Sequence, residues 1–284
     1  MIPARVGVLG GGRMGAGIAH AFLLAGAEVT VVEADPDAAS RAADRIAETL
    51  RRSVEREPGI HSFDALTARL ATATDVEAFA HADLVVEAVP EDRGLKLAAL
   101  ARVEGAVAPT AVIASNTSSI PIGTLATGLA HPTRFLGLHF FNPVPSSALV
   151  EVVMGPATEP ALADRAREWV FGLGKTAIVV RDSPGFASSR LGVALALEAI
   201  RMLEEGVASA EDIDRAMELG YRHPIGPLRT TDLVGLDVRL GIAEELHREL
   251  GERFAPPELL RRRVAEGALG RKTGRGFYEW SDER

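Results

Sequence analysis

The stretch RVGVLGGGRMGAG, residues 5–17, joins a β-branched apolar run, a glycine-rich turn and the head of an Ala-rich helix without a break. Gly10, Gly12 and Gly15 stand as GxGxxG at that junction. Gly10 permits the tight turn, Gly12 lets a pyrophosphate approach the backbone, and Gly15 lets the helix sit close to the strand. The first helical amides, from Arg13 and Met14 onward, then face the anion. A second strand runs into Glu33, close to the ~20-residue spacing at which an acid binds the adenosine ribose in this arrangement. The charge of Glu33 repels a 2′-phosphate, and Ala34 and Asp35 bring no cation to offset it, so NAD is expected rather than NADP.

Working outward, short β-branched runs alternate with Ala-rich amphipathic stretches, the pattern of a parallel sheet covered by helices. Strands are expected at Arg5 to Leu9, Glu28 to Val32, Leu84 to Glu87, Val112 to Ser115, Phe135 to Leu138, Leu149 to Met154 and Ala177 to Val180. The clearest helices between them are Met14 to Ala25, Pro36 to Glu55 and Arg93 to Val107. After RDSPGF, residues 181–186, only helical periodicity remains: Phe186 to Glu205, Ser209 to Leu219, Leu233 to Leu250 and Pro257 to Gly267. A boundary near Asp182 follows, giving domains 1–182 and 183–284. The tail GRKTGRGFYEW carries Phe277, Tyr278 and Trp280 and is expected to dock rather than dangle.

A chain of 284 residues exceeds one comfortable core. Its 47% hydrophobic and 25% charged residues suit a folded enzyme rather than a disordered segment. A net charge of −8 argues against a nucleic-acid backbone as partner. With no cysteine, disulfides, thiolate metal sites and cysteine nucleophiles are excluded, and redox chemistry needs a cofactor. No second histidine or cysteine stands at ligand spacing from His139, so no metal is expected. The N-terminus shows no export signal, and the most apolar helical stretch, LGVALALEAI at 191–200, contains Glu198 and falls short of the ~20 residues of a membrane span. A cytoplasmic, non-membrane protein is the expectation.

The stretch GLHFFNPVPSSALVEVV, residues 137–153, places His139 within an apolar run and Glu151 a dozen residues on. In an open α/β sheet, ligands sit beyond the carboxyl ends of the strands. His139 lies at such an end, and so does SNTSS, residues 115–119. A carboxylate on one ring nitrogen fixes the tautomer and stabilises the imidazolium formed when the other takes a proton, which an alcohol beside NAD requires. On spacing alone, a core histidine satisfied by hydrogen bonds stands beside that reading, and Glu151 reads equally as a strand-edge carboxylate.

Taken together, GLHFFNPVPxxxLVEVV, GGGRMGAGIA, SNTSS, DSPGF, GPLRTTDLVGLD and GRKTGRGFY resemble the L-3-hydroxyacyl-CoA dehydrogenases over essentially the whole chain. The resemblance implies a Rossmann-type, doubly wound NAD-binding domain and a smaller all-helical domain. It implies a fatty acid metabolism enzyme in which NAD reversibly oxidises the 3-hydroxyl of an L-3-hydroxyacyl-CoA. His139 is then the base and Glu151 its orienter, Ser118 bonds the substrate oxygen near the nicotinamide, and Asn142, Glu91, Lys96 and Lys272 fall at positions that touch NAD. It also implies a homodimer through the helical domain.

Two departures stand out. The family reads DSPGFxxNRL where this chain reads DSPGFASSRL, so Ser189 replaces a substrate-holding asparagine with a shorter hydroxyl. In VPSSALVE, Ser147 and Ala148 replace a bulkier, charged pair. The helix bearing Thr49, Arg51, Arg52 and Arg56 runs where the family binds the CoA nucleotide, and arginine forks suit phosphate, although Glu48, Glu55 and Glu57 dilute the patch. The departures keep two alternatives open: the same chemistry on a carrier-bound or free hydroxy acid, and an NAD-binding protein of little activity.

Overall fold

The computed structural model describes residues 1–59 and 61–280. Eight strands form one sheet: β1 (Arg5–Leu9), β2 (Glu28–Val32), β3 (Leu70–Ala73), β4 (Leu84–Glu87), β5 (Val112–Ser115), β6 (Phe135–Phe140), β7 (Leu149–Met154) and β8 (Thr176–Arg181). Their order is β3-β2-β1-β4-β5-β6-β7-β8. Helices α1 (Arg13–Leu24), α2 (Pro36–Arg56), α3 (Phe63–Thr67), α4 (Arg93–Ala106), α5 (Ile122–Ala126) and α6 (Leu162–Gly172) connect them. Every residue of β4, β5 and β6 is buried, as expected of strands covered on both faces. The chain divides into two compact units, Met1–Ser183 and Pro184–Arg284.

The sheet is parallel throughout except that β7 runs antiparallel to β6. Only Phe141 to Ala148 separate the two strands, and a parallel crossover needs about a dozen residues or more. Two differences from the expected strands are local. The edge strand β3, LATA, carries too little β-branched character to be read as a strand and forms by pairing with β2 through Val29↔Leu70. β6 extends to Phe140, so His139 is its penultimate residue.

In the second unit, α7 (Ser188–Glu204), α8 (Ala210–Tyr221), α9 (Pro227–Val234), α10 (Leu236–Leu250) and α11 (Glu258–Ala265) close on a core that includes Val193, Leu197, Ile200, Leu228, Leu246 and Leu260. The expected single helix from Leu233 to Leu250 is interrupted at Gly235, whose φ of 106° lies outside what a side-chain-bearing residue readily adopts. The aromatic tail docks within this unit. Buried Asp232 accepts the backbone N–H groups of Phe277 and Tyr278 at 2.8 and 3.0 Å and the Trp280 indole N–H at 2.7 Å. The Tyr278 hydroxyl donates to Asp214 at 2.7 Å.

Candidate active site

The glycine turn follows β1 directly. Gly10 has a φ of 92°. A Cβ on Gly15 would fall 1.7 Å from the Gly10 carbonyl oxygen, so only a missing side chain lets α1 approach. A Cβ on Gly12 would meet nothing within 4 Å. The space over Gly12 is therefore open, and α1, with Gly12 as its N-cap, receives no side-chain cap for its first amides. Unsatisfied helical N–H groups beside an open backbone face suit a pyrophosphate. The Gly11 N–H donates to Glu33 Oε1 at 2.7 Å, which sets that carboxylate at the rim of the turn. Arg45 of α2 donates to the Gly11 carbonyl at 2.6 Å, a contact that no local sequence signal announces.

Beyond β4 and β5 lies an acid–lysine network. Glu87, fully buried at the end of β4, accepts from Lys96 Nζ at 2.6 Å, from the Val89 N–H at 2.7 Å and from the Ser115 hydroxyl at 2.5 Å. Lys96 also meets the Val89 carbonyl at 3.1 Å and Glu91 Oε2 at 3.2 Å. Its three N–H bonds are thus used inside the protein, behind Glu91. The other Glu91 oxygen accepts from the Thr117 hydroxyl at 2.6 Å and from the Ser118 and Ser119 N–H groups at 2.9 and 3.0 Å. Burial raises the Glu91 carboxyl, but the Lys96 charge and these hydrogen bonds together outweigh it and hold the group below the usual carboxylate range. The loop bearing Ser118 is thereby fastened to the end of β4. Sequence reading missed Glu87 and Thr117. The available signal was a carboxylate closing the otherwise apolar strand LVVE.

His139 and Glu151 are directly opposite in the antiparallel β6–β7 register, so both side chains share one face of the sheet. His139 Nδ1 lies 2.7 Å from Glu151 Oε2, with the imidazole 6% and the carboxylate 0% exposed. The Asn116 side-chain oxygen accepts the Phe140 N–H at 2.9 Å, so the SNTSS loop and the end of β6 converge. The Phe141 ring packs at 4.5 Å between centroids against the imidazole.

The remaining expected residues are more dispersed. Asn142 is exposed just beyond β6. Ser189 sits in the first turn of α7 and Lys272 pairs with Asp237 through two 2.6 Å contacts, both in the second unit. Thr49 donates to the Arg45 carbonyl within α2, and Arg56 ends that helix in solvent. Arg51 and Arg52 both pair with Glu48, at 2.9 and 3.0 Å, which dilutes the basic face.

Two family models cover almost the entire chain: the NAD binding domain of 3-hydroxyacyl-CoA dehydrogenase over residues 5–183 and the C-terminal domain of the same enzyme over residues 185–280. The chain belongs to the 3-hydroxyacyl-CoA dehydrogenase family. It is similar to a 3-hydroxybutyryl-CoA dehydrogenase of Mycobacterium tuberculosis, 44% identical over 285 residues, covering 97% of this chain and 98% of that protein. Among solved structures it is similar to M. tuberculosis FadB2, with a TM-score of 0.92 and 43% identity over 99% of this chain and 100% of the other. It is likewise similar to (S)-3-hydroxybutyryl-CoA dehydrogenase PaaH1 of Ralstonia eutropha, with a TM-score of 0.93 and 39% identity over 99% and 100%. As a 3-hydroxyacyl-CoA dehydrogenase family member, the chain is an NAD-dependent oxidoreductase whose first unit is the NAD-binding domain. No helix among the described residues is long and apolar enough to cross a membrane.

Proposed function

We propose that the chain interconverts L-3-hydroxyacyl-CoA and 3-ketoacyl-CoA in fatty acid metabolism, with a short acyl group and His139 as general acid–base. The observation that carries this reading is the 2.7 Å His139–Glu151 pair at the carboxyl end of β6. Bound NAD would supply the hydride acceptor for C3 of the hydroxyacyl group. His139 Nε2 takes the hydroxyl proton in that direction and returns it in reduction, while the Glu151 carboxylate fixes Nδ1 as the protonated nitrogen and stabilises the imidazolium. Ser118, fastened through its N–H to Glu91, donates a hydrogen bond to the substrate oxygen, and Ser189 replaces the family asparagine in the same task. Glu33 takes the adenosine ribose and Glu91, Asn142 and Lys272 line the NAD site, with Lys96 acting through Glu91. Thr49 and Arg56 meet the CoA phosphates.

The test is NADH oxidation followed by absorbance with acetoacetyl-CoA, free acetoacetate and a carrier-bound analogue. Turnover on the CoA thioester supports the reading. Turnover on another carrier alone transfers the chemistry to that substrate, which Ser189 and the small side chains of Ser147 and Ala148 would favour. His139→Gln is expected to abolish turnover while sparing NADH binding, and Ser189→Asn to raise the rate. A near-wild-type rate in His139→Gln would refute the base assignment.

The enzyme is further taken to be a cytoplasmic homodimer through its helical unit. Leu191, Leu233, Val234 and Val238 are 71, 40, 42 and 44% exposed. Arg239 is nine-tenths buried beside Gly192, its Nε lacking a hydrogen-bond partner among the described residues. Exposed apolar side chains on a helical unit suit an interface with a second copy. Sedimentation should report a dimer that Leu191→Glu converts to monomer. A wild-type monomer at micromolar concentration would end the idea.

A further inference from the structure

The connection Phe141 to Ala148 joins the strand of His139 to the strand of Glu151, and the two residues lie opposite one another in the register. In an antiparallel pair, a slip of one residue would turn Glu151 to the opposite face of the sheet. Within the connection, Ser146 and Ser147 donate their N–H groups to the Pro143 carbonyl at 3.2 and 3.0 Å, but the Val144 and Ser147 carbonyls find no backbone partner among the described residues. Both are taken by one side chain. Lys175 Nζ donates to the Val144 carbonyl at 2.6 Å and to the Ser147 carbonyl at 2.6 Å. The next residue, Thr176, donates its N–H to the Ala148 carbonyl at 2.6 Å and opens β8, which pairs with β7 through Leu149↔Thr176 and Glu151↔Ile178. The connection is thus held by Lys175 from the side and by β8 at its end.

We propose that Lys175 is a positioning residue for the reaction, an ammonium clamp that fixes the β6–β7 connection and so holds Glu151 opposite His139 and Asn142 at the end of β6. It touches neither substrate nor cofactor in this reading and acts through the backbone. Hydrogen bonds from a charged donor are stronger than neutral ones, which suits a clamp that spans two carbonyls. Burial draws the Lys175 ammonium below its usual range, in keeping with a desolvated contact rather than a surface lysine. The side chain also borders a cavity of about 250 Å³ lined by His20, Pro145, Gly172 and Gly174 among others. Small molecules therefore have a route to the place where the ammonium stands.

That route gives the test. The proposal rests on the His139 assignment, so wild-type turnover with acetoacetyl-CoA is measured first; an inactive wild type refutes that assignment, not the clamp. In active enzyme, Lys175→Ala is expected to lower kcat at least tenfold with KM for acetoacetyl-CoA within about twofold. Added ethylammonium or propylammonium should restore kcat saturably, at least fivefold, whereas tetramethylammonium, which has no N–H to donate, should not. A kcat within twofold of wild type overturns the proposal. So does a loss of kcat that no primary ammonium restores, which would mark Lys175 as a packing element only. If Lys175→Ala does not fold, Lys175→Ser takes its place and is read by the same ammonium restoration: a saturable return of kcat supports the clamp, and a loss that no primary ammonium restores, or a kcat within twofold of wild type, overturns it.

Discussion

Replacing Glu151 with Gln tests the catalytic pair at its most defined point. The side chain is isosteric, fully buried and opposite His139, so the change removes a charge and leaves the volume. Two outcomes are available to the amide. If its carbonyl faces Nδ1, the ring keeps its orientation and tautomer but loses the carboxylate that stabilises the imidazolium. A hydrogen bond to a charged group contributes about 1.5–3 kcal/mol, and since about 1.4 kcal/mol is a factor of ten in rate, kcat should fall about 10- to 150-fold. If instead the NH2 group faces Nδ1, the wrong nitrogen carries the proton, and losses of ~10⁴-fold are known for such inversions. A fall of at least about tenfold is therefore expected on either branch. The assay is NADH oxidation with acetoacetyl-CoA, accompanied by NADH binding and thermal melting, both expected to stay near wild type. A kcat within threefold of wild type in a folded, NADH-binding variant would refute the argument that the 2.7 Å pair stabilises the protonated ring.

The glycine turn separates cofactor from fold. Gly12→Ala meets no neighbouring atom and should keep its melting temperature while NAD affinity falls at least tenfold, whereas Gly15→Ala drives a Cβ to 1.7 Å from a carbonyl and should cost at least ~3 kcal/mol of stability; isothermal titration and urea melts distinguish the two, and a stable Gly15→Ala would contradict the packing. Lys96→Met leaves buried Glu87 without its cation and is expected to destabilise the fold by ~3–5 kcal/mol in urea; pairing it with Glu87→Gln should recover part of that loss, and no recovery would mean that the two do not act as a pair. His20 is held down to about 4 from 6.5, first by burial and then by the Lys175 charge. The unfolded chain then binds the extra proton at higher pH, so this group's contribution to stability is complete above about pH 6.5 and is lost as pH falls towards 4. The loss approaches ~3 kcal/mol by linkage. His20→Asn should flatten that limb of a urea-melt pH series, and identical slopes in both proteins would rule His20 out as its source.

Much of the site was legible because its signals are local. The glycine spacing, the strand before it and Glu33 lie within one strand–turn–helix–strand run, and the HFFNP and LVEVV segments gain a role through their resemblance to the family. What escaped reading depends on pairing across the chain. Glu87, Thr117 and Arg45 act through partners found only in the folded unit: Ser115 lies 28 positions from Glu87, Glu91 26 from Thr117 and Gly11 34 from Arg45. The resemblance placed Lys96 at a position that touches NAD, but its burial between two carboxylates was not legible. The β3 edge strand escaped for a related reason, since LATA has little strand preference until β2 offers it a ladder.

By itself the sequence determined the glycine turn, the class of cofactor, the alternation that builds a covered sheet and the change to helices near Asp182, and through family resemblance it nominated His139 and Glu151 as a candidate pair. All but that pair follow from the steric demands of single residues and from periodicities that local chain geometry imposes. Tertiary structure decided the antiparallel direction of β7, the His139↔Glu151 register and the ties made by Lys96 and Lys175. A hydrogen bond between distant residues is set by the packing of whole elements, and no local propensity encodes the distance at which two side chains finally meet.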